Sequence, residues 1–296
     1  MMEQGDCNFA TEQTIGIIGL GLIGGSYAKG LRRLGAAKIL AVDVDEKALQ
    51  AALADGVIDE GHRAGGEFLV QADMLIFCMA ADAMLEFIRS NAAHFKDGAV
   101  LTDVTGIKGD MARTIEGMLP DGVDFISGHP MAGREGKGYG MSQAEIFDGA
   151  NYIIVPSPAN KAEHIGKVRA MAYALGCAHV ITVSPEEHDK LIAYTSSLPH
   201  VLATALVNSE AMSPMTKFFV AGSFRDGTRV ADINAPLWTK LFLSNKENLL
   251  YEIDRFGDAL QTFADMLRRE DTPAITQYLQ QAAMRRRELV HEKHTH

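Results

Sequence analysis

Residues Ile15–Ser26 read IGIIGLGLIGGS, and the rest of the chain can be interpreted outward from them. Three isoleucines at the start give the β-branched bulk of a buried strand. Gly19, Gly21 and Gly24 follow in the spacing G-x-G-x-x-G. The first glycine permits a tight turn, the second leaves room for a pyrophosphate, and the third lets a helix pack closely on the strand. The pyrophosphate would lie at the N-terminus of that helix. The predicted cofactor-binding residues of this loop are Gly19, Gly21, Leu22, Ile23 and Gly24.

The residues after the glycines complete a βαβ unit. Tyr27–Gly35 is predicted to be a helix, and the apolar stretch Lys38–Val42 a second strand that ends at Asp43. Asp43 stands 19 residues after Gly24, where the acid of a Rossmann domain hydrogen-bonds the adenosine ribose. Because a carboxylate there would repel a 2′-phosphate, the sequence favours NAD over NADP. The alternative is a glycine turn followed by an ordinary strand-end aspartate.

Length, charge and cysteine content exclude several classes of protein. A chain of 296 residues fits two domains, and it contains no apolar run long enough for a membrane span. Residues 1–13 lack the pattern of a signal peptide. Cys7, Cys78 and Cys177 are too few and too widely spaced for a disulfide framework or a metal site, which indicates a cytoplasmic protein. A net charge of −10 is unfavourable for binding nucleic acid.

The first part of the chain alternates between strand and helix patterns. Helices are predicted at 45–54, Ala80–Arg89, Val104–Lys108 (as a turn into a helix) and 161–175. Further strands are predicted at Ala72–Met79, Ala99–Asp103, Phe125–Ser127, Tyr152–Val155 and Val180–Val183. This alternation is typical of a doubly wound, mostly parallel sheet, so residues 1–184 are predicted to be an NAD-binding Rossmann domain.

The pattern changes after Ser184. Residues 186–210, 237–269 and 272–292 have helical periodicity, and few strand signals remain. We therefore expect residues 185–296 to form an all-helical domain. Extensive apolar faces on its helices are typical of a domain that dimerises, although burial of these faces within one chain would give the same pattern.

Two stretches lie where the ligands of a parallel sheet bind, beyond the carboxyl ends of its strands. They are Asp103–Lys108 (DVTGIK) and Gly128–Glu135 (GHPMAGRE). His129 follows a predicted strand, and Pro130 restricts it to extended conformations. An imidazole with an ordinary pKa of about 6.5 suits proton transfer at neutral pH. A structural hydrogen bond from a loop histidine explains the same pattern equally well.

The helical domain contributes further polar candidates. His200 follows Pro199, which fits the first turn of a helix, so His200 is either a site residue or part of a capped polar face. His188, at the predicted domain junction, is interpreted as structural. Arg225 and Arg229 are four residues apart, so that one helical turn would let both bind carboxylates. A solvated face paired with nearby aspartates is the alternative.

These motifs occur in one order along nearly the whole chain, about residues 14–270. The series GLGLIGGS, D-x-x-x-x-K, GHPMAGRE, EEHD, SSLPH, FRDGTRVA and LFLSNKENLL resembles the prephenate and arogenate dehydrogenases of tyrosine biosynthesis. The resemblance implies a Rossmann domain, a helical dimerisation domain and an active site between them. It also implies that His129 is the catalytic histidine, that Ser196 and His200 line the substrate site, and that Arg229, helped by Arg225, binds a substrate carboxylate. Many members have serine at the fourth position of D-x-x-S-x-K, where this chain has Gly106, so Thr105 is a candidate substitute for that hydroxyl.

The implied reaction is the NAD-dependent oxidative decarboxylation of prephenate to 4-hydroxyphenylpyruvate, and it requires no metal. Arogenate, which carries an amino group in place of the keto group, is the first alternative substrate. A β-hydroxyacid dehydrogenase would use a lysine on a glycine-rich helix, but no G-x-x-G-x-x-x-K motif opens the helical domain. A non-catalytic protein that senses dinucleotides would need neither His129 nor the arginines.

Overall fold

A computed structural model describes residues 12–133 and 136–291. The N-terminal residues 1–11 with Cys7, and Arg134 and Glu135 of the GHPMAGRE motif, lie outside the described residues. The chain divides into two compact units after Ile192. No helix in the described ranges is long and apolar enough to cross a membrane.

The first unit is built on an eight-stranded sheet with the strand order β3-β2-β1-β4-β5-β6-β7-β8. Every neighbouring pair is parallel except β6 and β7. The strands are β1 (Thr14–Ile18), β2 (Lys38–Val42), β3 (Glu60–His62), β4 (Met74–Phe77), β5 (Val100–Asp103), β6 (Asp124–Pro130), β7 (Asn151–Val155) and β8 (His179–Thr182). The helices are α1 (Leu22–Arg33), α2 (Glu46–Ala54), α3 (Ala81–Asn91), α4 (Met111–Glu116), α5 (Ala162–Ala174) and α6 (Pro185–Ile192). The predicted doubly wound, mostly parallel sheet is confirmed.

Both faces of the sheet are covered, which explains why its strands read as continuous apolar runs. Along β1, Ile15 and Ile17 point into one hydrophobic core and Ile18 into the other. Along β4, Ile76 and Phe77 divide in the same way. All five side chains are at most 1% exposed.

Two predicted helix boundaries are wrong. The helix after the glycine loop begins at Leu22 rather than Tyr27, so Gly24 lies inside it. Gly24 and Gly25 hid the first turn of this helix from a search for apolar periodicity. Val104–Lys108 does not turn into a helix, which begins only at Met111. The backbone N–H of Thr105 and the ammonium of Lys108 both donate to the Asp103 carboxylate, so this N–H bonds to a side chain instead of to a helical carbonyl.

Strand β6 is longer than the predicted Phe125–Ser127. It starts parallel to β5 and continues as far as Pro130 by pairing antiparallel with β7. His129 therefore lies within a strand, opposite Ile153, rather than in a loop after one. Gly128 and Pro130 lack strand propensity, so the pairing partner and not the local sequence sets this end of the strand.

The second unit is helical, as predicted. A π-helical turn, Ala193–Ser197, leads into α7 (Leu198–Val207). Because the ring of Pro199 would clash with the carbonyl four residues earlier in a regular helix, a widened turn before it relieves the clash. The predicted single helix 186–210 is thereby interrupted. The remaining helices are α8 (Gly222–Thr228), α9 (Ala235–Ser244), α10 (Lys246–Arg268) and α11 (Thr272–His291), with a break at Asn245 inside the predicted helix 237–269.

Candidate active site

The glycine loop has the shape that a dinucleotide needs. Gly19 has φ +94°, and a Cβ there would lie 2.6 Å from the carbonyl oxygen of Cys78 at the end of β4. A Cβ on Gly24 would collide with the carbonyl oxygen of Gly19, so only glycine lets α1 approach β1 this closely. A Cβ on Gly21 would meet nothing within 4 Å. The space over Gly21 and the N-terminus of α1 lies at the point where the strand order reverses, which is where such sheets bind ligands.

Asp43 is fixed at the end of β2 beside this loop. Its Oδ2 accepts a hydrogen bond of 2.5 Å from the backbone N–H of Leu20, and its Oδ1 accepts one of 2.8 Å from the N–H of Asp45. The carboxylate thus links the glycine loop to the turn after β2. A carboxylate held in this way still has lone pairs for ribose hydroxyls.

A buried ion pair lies at the carboxyl ends of β5 and β6. The ammonium of Lys108 donates to Asp103 Oδ2 at 2.8 Å and to the carbonyl oxygen of Gly128 at 2.6 Å. Burial opposes both charges, but the Lys108 charge and hydrogen bonds from Thr105 and Gly128 keep the Asp103 pKa low. The Thr105 hydroxyl donates to Asp103. Thr105 therefore supports the ion pair, and its predicted contact with substrate stays a prediction.

His129 is partly buried beside this pair. Gly128 directly precedes His129 in the chain. Its N–H donates to Asp103 and its carbonyl oxygen accepts from Lys108, so the backbone that carries the imidazole is held by two hydrogen bonds. Burial, then the positive charge of Lys108, and then the neighbouring His188 ring lower the pKa of His129 to about 3. The ring is therefore uncharged at neutral pH, as a general base must be.

A chain of hydrogen-bond contacts runs from His129 to His188 and Asp189 on α6. The Nδ1 atom of His129 lies 2.9 Å from Nε2 of His188, and Nδ1 of His188 lies 2.7 Å from Oδ1 of Asp189. The backbone N–H groups of Lys108 and Gly109 donate to Asp189 at 2.9 and 2.8 Å. Burial raises the pKa of Asp189, but the hydrogen bonds from His188 and from these two N–H groups outweigh burial, so the pKa lies below its ordinary value. His188, interpreted from the sequence as structural, is thus in contact with His129.

In the second unit, His200 lies in the first turns of α7. Its Nδ1 is 2.8 Å from the carbonyl oxygen of Ser196 in the π-helical turn. The imidazole stacks on the indole of Trp238 in α9, with ring centroids 3.6 Å apart and planes 29° from parallel. Ser196 and His200 are therefore adjacent, as the predicted substrate site requires. Trp238 is not among the residues predicted for the site, and no sequence motif connects it to His200.

Arg225 and Arg229 lie on either side of the C-terminal end of α8. Arg225 lies in that helix, and Arg229 opens the 3₁₀ turn Arg229–Ala231, which packs against α7. Both arginines are exposed. The second unit thus brings the arginine segment next to the helix that bears His200.

Two models of one protein family match most of the chain. Residues 27–181 match the family model "Prephenate dehydrogenase, nucleotide-binding domain", and residues 184–281 match "Prephenate dehydrogenase, dimerization domain". The chain belongs to the prephenate dehydrogenase family. This confirms the predicted family and the prediction of an NAD-dependent oxidoreductase. In this family, residues 27–181 correspond to the nucleotide-binding domain and therefore include most of α1 and Asp43.

Individual prephenate dehydrogenase relatives agree with the family models. The chain is 29% identical to the prephenate dehydrogenase of Bacillus subtilis (strain 168) over 92% of this chain and 74% of the relative. The structure of prephenate dehydrogenase from A. aeolicus in complex with hydroxyphenyl propionate and NAD+ superposes with a TM-score of 0.85 and 29% identity, covering 94% and 98% of the two chains. Synechocystis arogenate dehydrogenase gives a TM-score of 0.82 at 25% identity, covering 93% and 99%.

Proposed function

We propose that this protein catalyses the NAD-dependent oxidative decarboxylation of prephenate to 4-hydroxyphenylpyruvate. The observation that carries the proposal is an uncharged imidazole, His129, held at the carboxyl edge of a dinucleotide-binding sheet by buried polar contacts. The B. subtilis relative is a prephenate dehydrogenase, and the A. aeolicus structure contains NAD+.

The glycine loop and Asp43 fit NAD. The open space over Gly21 suits the pyrophosphate, and the N-terminus of α1 favours its charge. Asp43 is oriented to bind ribose hydroxyls and to repel a 2′-phosphate. When bound, NAD+ supplies the hydride acceptor of the reaction.

His129 accepts the proton of the substrate's ring hydroxyl through Nε2 while C4 becomes a carbonyl carbon. Loss of carbon dioxide then aromatises the ring, and the proton returns to the phenolate oxygen. General base catalysis of this kind contributes roughly 10²–10⁴-fold. Arg229, with Arg225, binds a carboxylate of the substrate, and Ser196 and His200 contact the remainder, with Thr105 a further candidate.

An assay of NADH formation with prephenate and with arogenate, each with NAD and NADP, tests the proposal. We expect the highest kcat/KM with prephenate and NAD. Higher kcat/KM with arogenate would assign the activity of the Synechocystis neighbour to this chain. Tight NAD binding without turnover of either substrate would contradict the proposal and favour a dinucleotide sensor.

We further propose that residues 185–296 are the substrate and dimerisation domain and that the protein is a homodimer. Leu260 and Leu267, seven residues apart on one face of α10, are 57% and 53% exposed. Exposed apolar side chains on one helix face are typical of a surface that a partner buries. The match to the family's dimerization domain supports a second copy of the chain as the partner that buries these leucines. Sedimentation equilibrium should give about twice the chain mass of 32.1 kDa.

The double variant L260E/L267E should sediment as a monomer. The matched control is Leu53→Glu on α2, where a leucine that is 42% exposed changes to the same charge in the nucleotide-binding domain. Sedimentation of the unmodified protein as a monomer at micromolar concentration would contradict the dimer.

A further inference from the structure

We infer that His188 and Asp189 are positioning residues that hold His129 in the tautomer with its proton on Nδ1. This leaves Nε2 as the hydrogen-bond acceptor for the substrate hydroxyl. The inference rests on the proposed function for the role of His129 as a base. It adds two residues that do not contact the substrate and that act through the imidazole.

The direction of the hydrogen bonds follows from Asp189. A carboxylate can only accept hydrogen bonds, and Oδ1 of Asp189 lies 2.7 Å from Nδ1 of His188. The proton of that contact is therefore on Nδ1 of His188. In a neutral imidazole the other nitrogen is an acceptor, so Nε2 of His188 accepts from Nδ1 of His129 across 2.9 Å.

Asp189 is itself held in place from another segment. The backbone N–H of Lys108 donates to Oδ1 at 2.9 Å, and that of Gly109 donates to Oδ2 at 2.8 Å. Both carboxylate oxygens are occupied, so the carboxylate cannot turn without losing a bond. Adjacent helix residues do not normally face one another, yet here the His188 ring reaches the next side chain in the sequence.

The same chain of contacts stabilises the product of proton transfer. When His129 takes a proton on Nε2, its Nδ1–H continues to donate to a neutral His188, and Asp189 balances the new charge through that ring. The charged groups that act on His129 are Lys108, which opposes a positive charge, and Asp103 and Asp189, which favour one. Without His188, either nitrogen of His129 could carry the proton, and the tautomer with a proton on Nε2 cannot act as a base.

Nitrogen NMR on the full-length, ¹⁵N-histidine-labelled protein tests the inference without substrate. The signals of His129 are assigned by their loss in His129→Asn. We expect the unmodified protein to show a protonated Nδ1 and a bare Nε2 on His129. A protonated Nε2 on His129, or a doubly protonated His188, would overturn the inference.

Kinetics of His188→Phe and Asp189→Asn provide a second measurement. We expect kcat to fall about 10²-fold or more, as when a base is lost, with KM for prephenate and Kd for NAD within about threefold. His188→Gln, whose amide oxygen can accept from His129, should recover part of kcat and the Nδ1–H signal. A folded His188→Phe protein with kcat within threefold of the parent would also overturn the inference.

The matched control is the buried pair His164 and Asp124, in which Nδ1 lies 3.0 Å from Oδ2. Asp124 begins β6 at the end opposite to His129. His164→Phe should lower the melting temperature as His188→Phe does, while kcat and the His129 signals stay unchanged. If the unmodified protein has the expected tautomer but oxidises neither prephenate nor arogenate, the proposed function fails and the assignment of His188 and Asp189 stands.

Discussion

The Nζ atom of Lys108 lies 2.8 Å from Oδ2 of Asp103, and the two side chains are 2% and 0% exposed. Asp103 ends β5, and the same ammonium reaches the carbonyl oxygen of Gly128 on β6. One lysine therefore neutralises a buried carboxylate and joins the ends of two strands next to His129.

Replacement of Lys108 by methionine should lower the free energy of unfolding by about 3–5 kcal/mol, because it leaves the Asp103 charge buried without its partner. Urea denaturation measures this. The matched control is Lys38→Met, since Lys38 and Glu60 pair at 2.6 Å with side chains 32% and 38% exposed. That change should cost at most about 1 kcal/mol. Equal effects of the two substitutions would show that the buried pair contributes no more than a surface pair.

His129→Asn should reduce kcat by roughly 10²–10⁴-fold with NAD binding intact. It should also change how stability depends on pH. The pKa of His129 is about 3 in the folded protein and about 6.5 when unfolded. The unfolded state therefore binds the proton first, and stability falls as pH drops from about 6.5 toward 3.

Melting temperatures measured between about pH 7 and pH 4 should fall less steeply for His129→Asn than for the parent. The control is His179→Asn on β8, where the exposed ring should leave the slope unchanged. An unchanged slope in His129→Asn would show that the native imidazole is protonated near its ordinary pKa.

Asp43→Ala should weaken NAD binding about 10- to 100-fold, the range for hydrogen bonds to a charged group, and should relax the rejection of NADP. Titration calorimetry with both cofactors measures this. Asp45→Ala is the control, because Asp45 caps α2 by accepting from the N–H of Lys47 at 3.0 Å. It should cost about 1 kcal/mol of stability without altering cofactor preference. Equal efficiency of the unmodified enzyme with NADP would refute the role of Asp43.

Arg229→Ala should raise KM for prephenate about 10- to 100-fold with a smaller effect on kcat, because the carboxylate is present in both the ground state and the transition state. Arg229→Lys should recover only part of the loss, since an ammonium cannot make a two-pronged contact. Arg255→Ala, a change of another exposed arginine, should leave KM unaltered. A normal KM in Arg229→Ala would move the carboxylate contact to Arg225.

Trp238→Ala should raise KM for prephenate, because His200 loses the ring on which it stacks. Trp238→Phe should raise KM much less than Trp238→Ala does, since an aromatic face remains for His200 to stack on. Steady-state kinetics of the two variants, with melting temperatures to confirm folding, make the comparison. Identical KM values for alanine and phenylalanine would show that the stack does not position His200.

The sequence predicted those parts of the molecule whose structure depends on neighbouring residues. The spacing of Gly19, Gly21 and Gly24 was enough to predict the dinucleotide loop, because each glycine meets a separate steric requirement of that loop. The apolar run Lys38–Val42 was enough to predict a buried strand. The later part of β6 could not be predicted in this way. Its residues Gly128, His129 and Pro130 are in a strand because β7 pairs with them.

The polar contacts around His129 were harder to predict because they join distant segments. His129 and His188 are 59 residues apart in the chain, and Lys108 is 81 residues from Asp189. The motifs placed all four residues near the ends of elements, but no local pattern gives the direction of a side chain. Trp238 was missed for the same reason, since its relation to His200 appears only when α7 and α9 pack together.

The backbone next to the base has little room for a side chain. A Cβ on Gly128 would lie 2.5 Å from the hydroxyl oxygen of Tyr152 and 3.0 Å from that of Thr102. Mutations at these sites are therefore expected to be epistatic. Alanine at position 128 should be tolerated better in a lineage in which Tyr152 has already lost its hydroxyl, so the order of the changes, and not only their identity, would affect the enzyme.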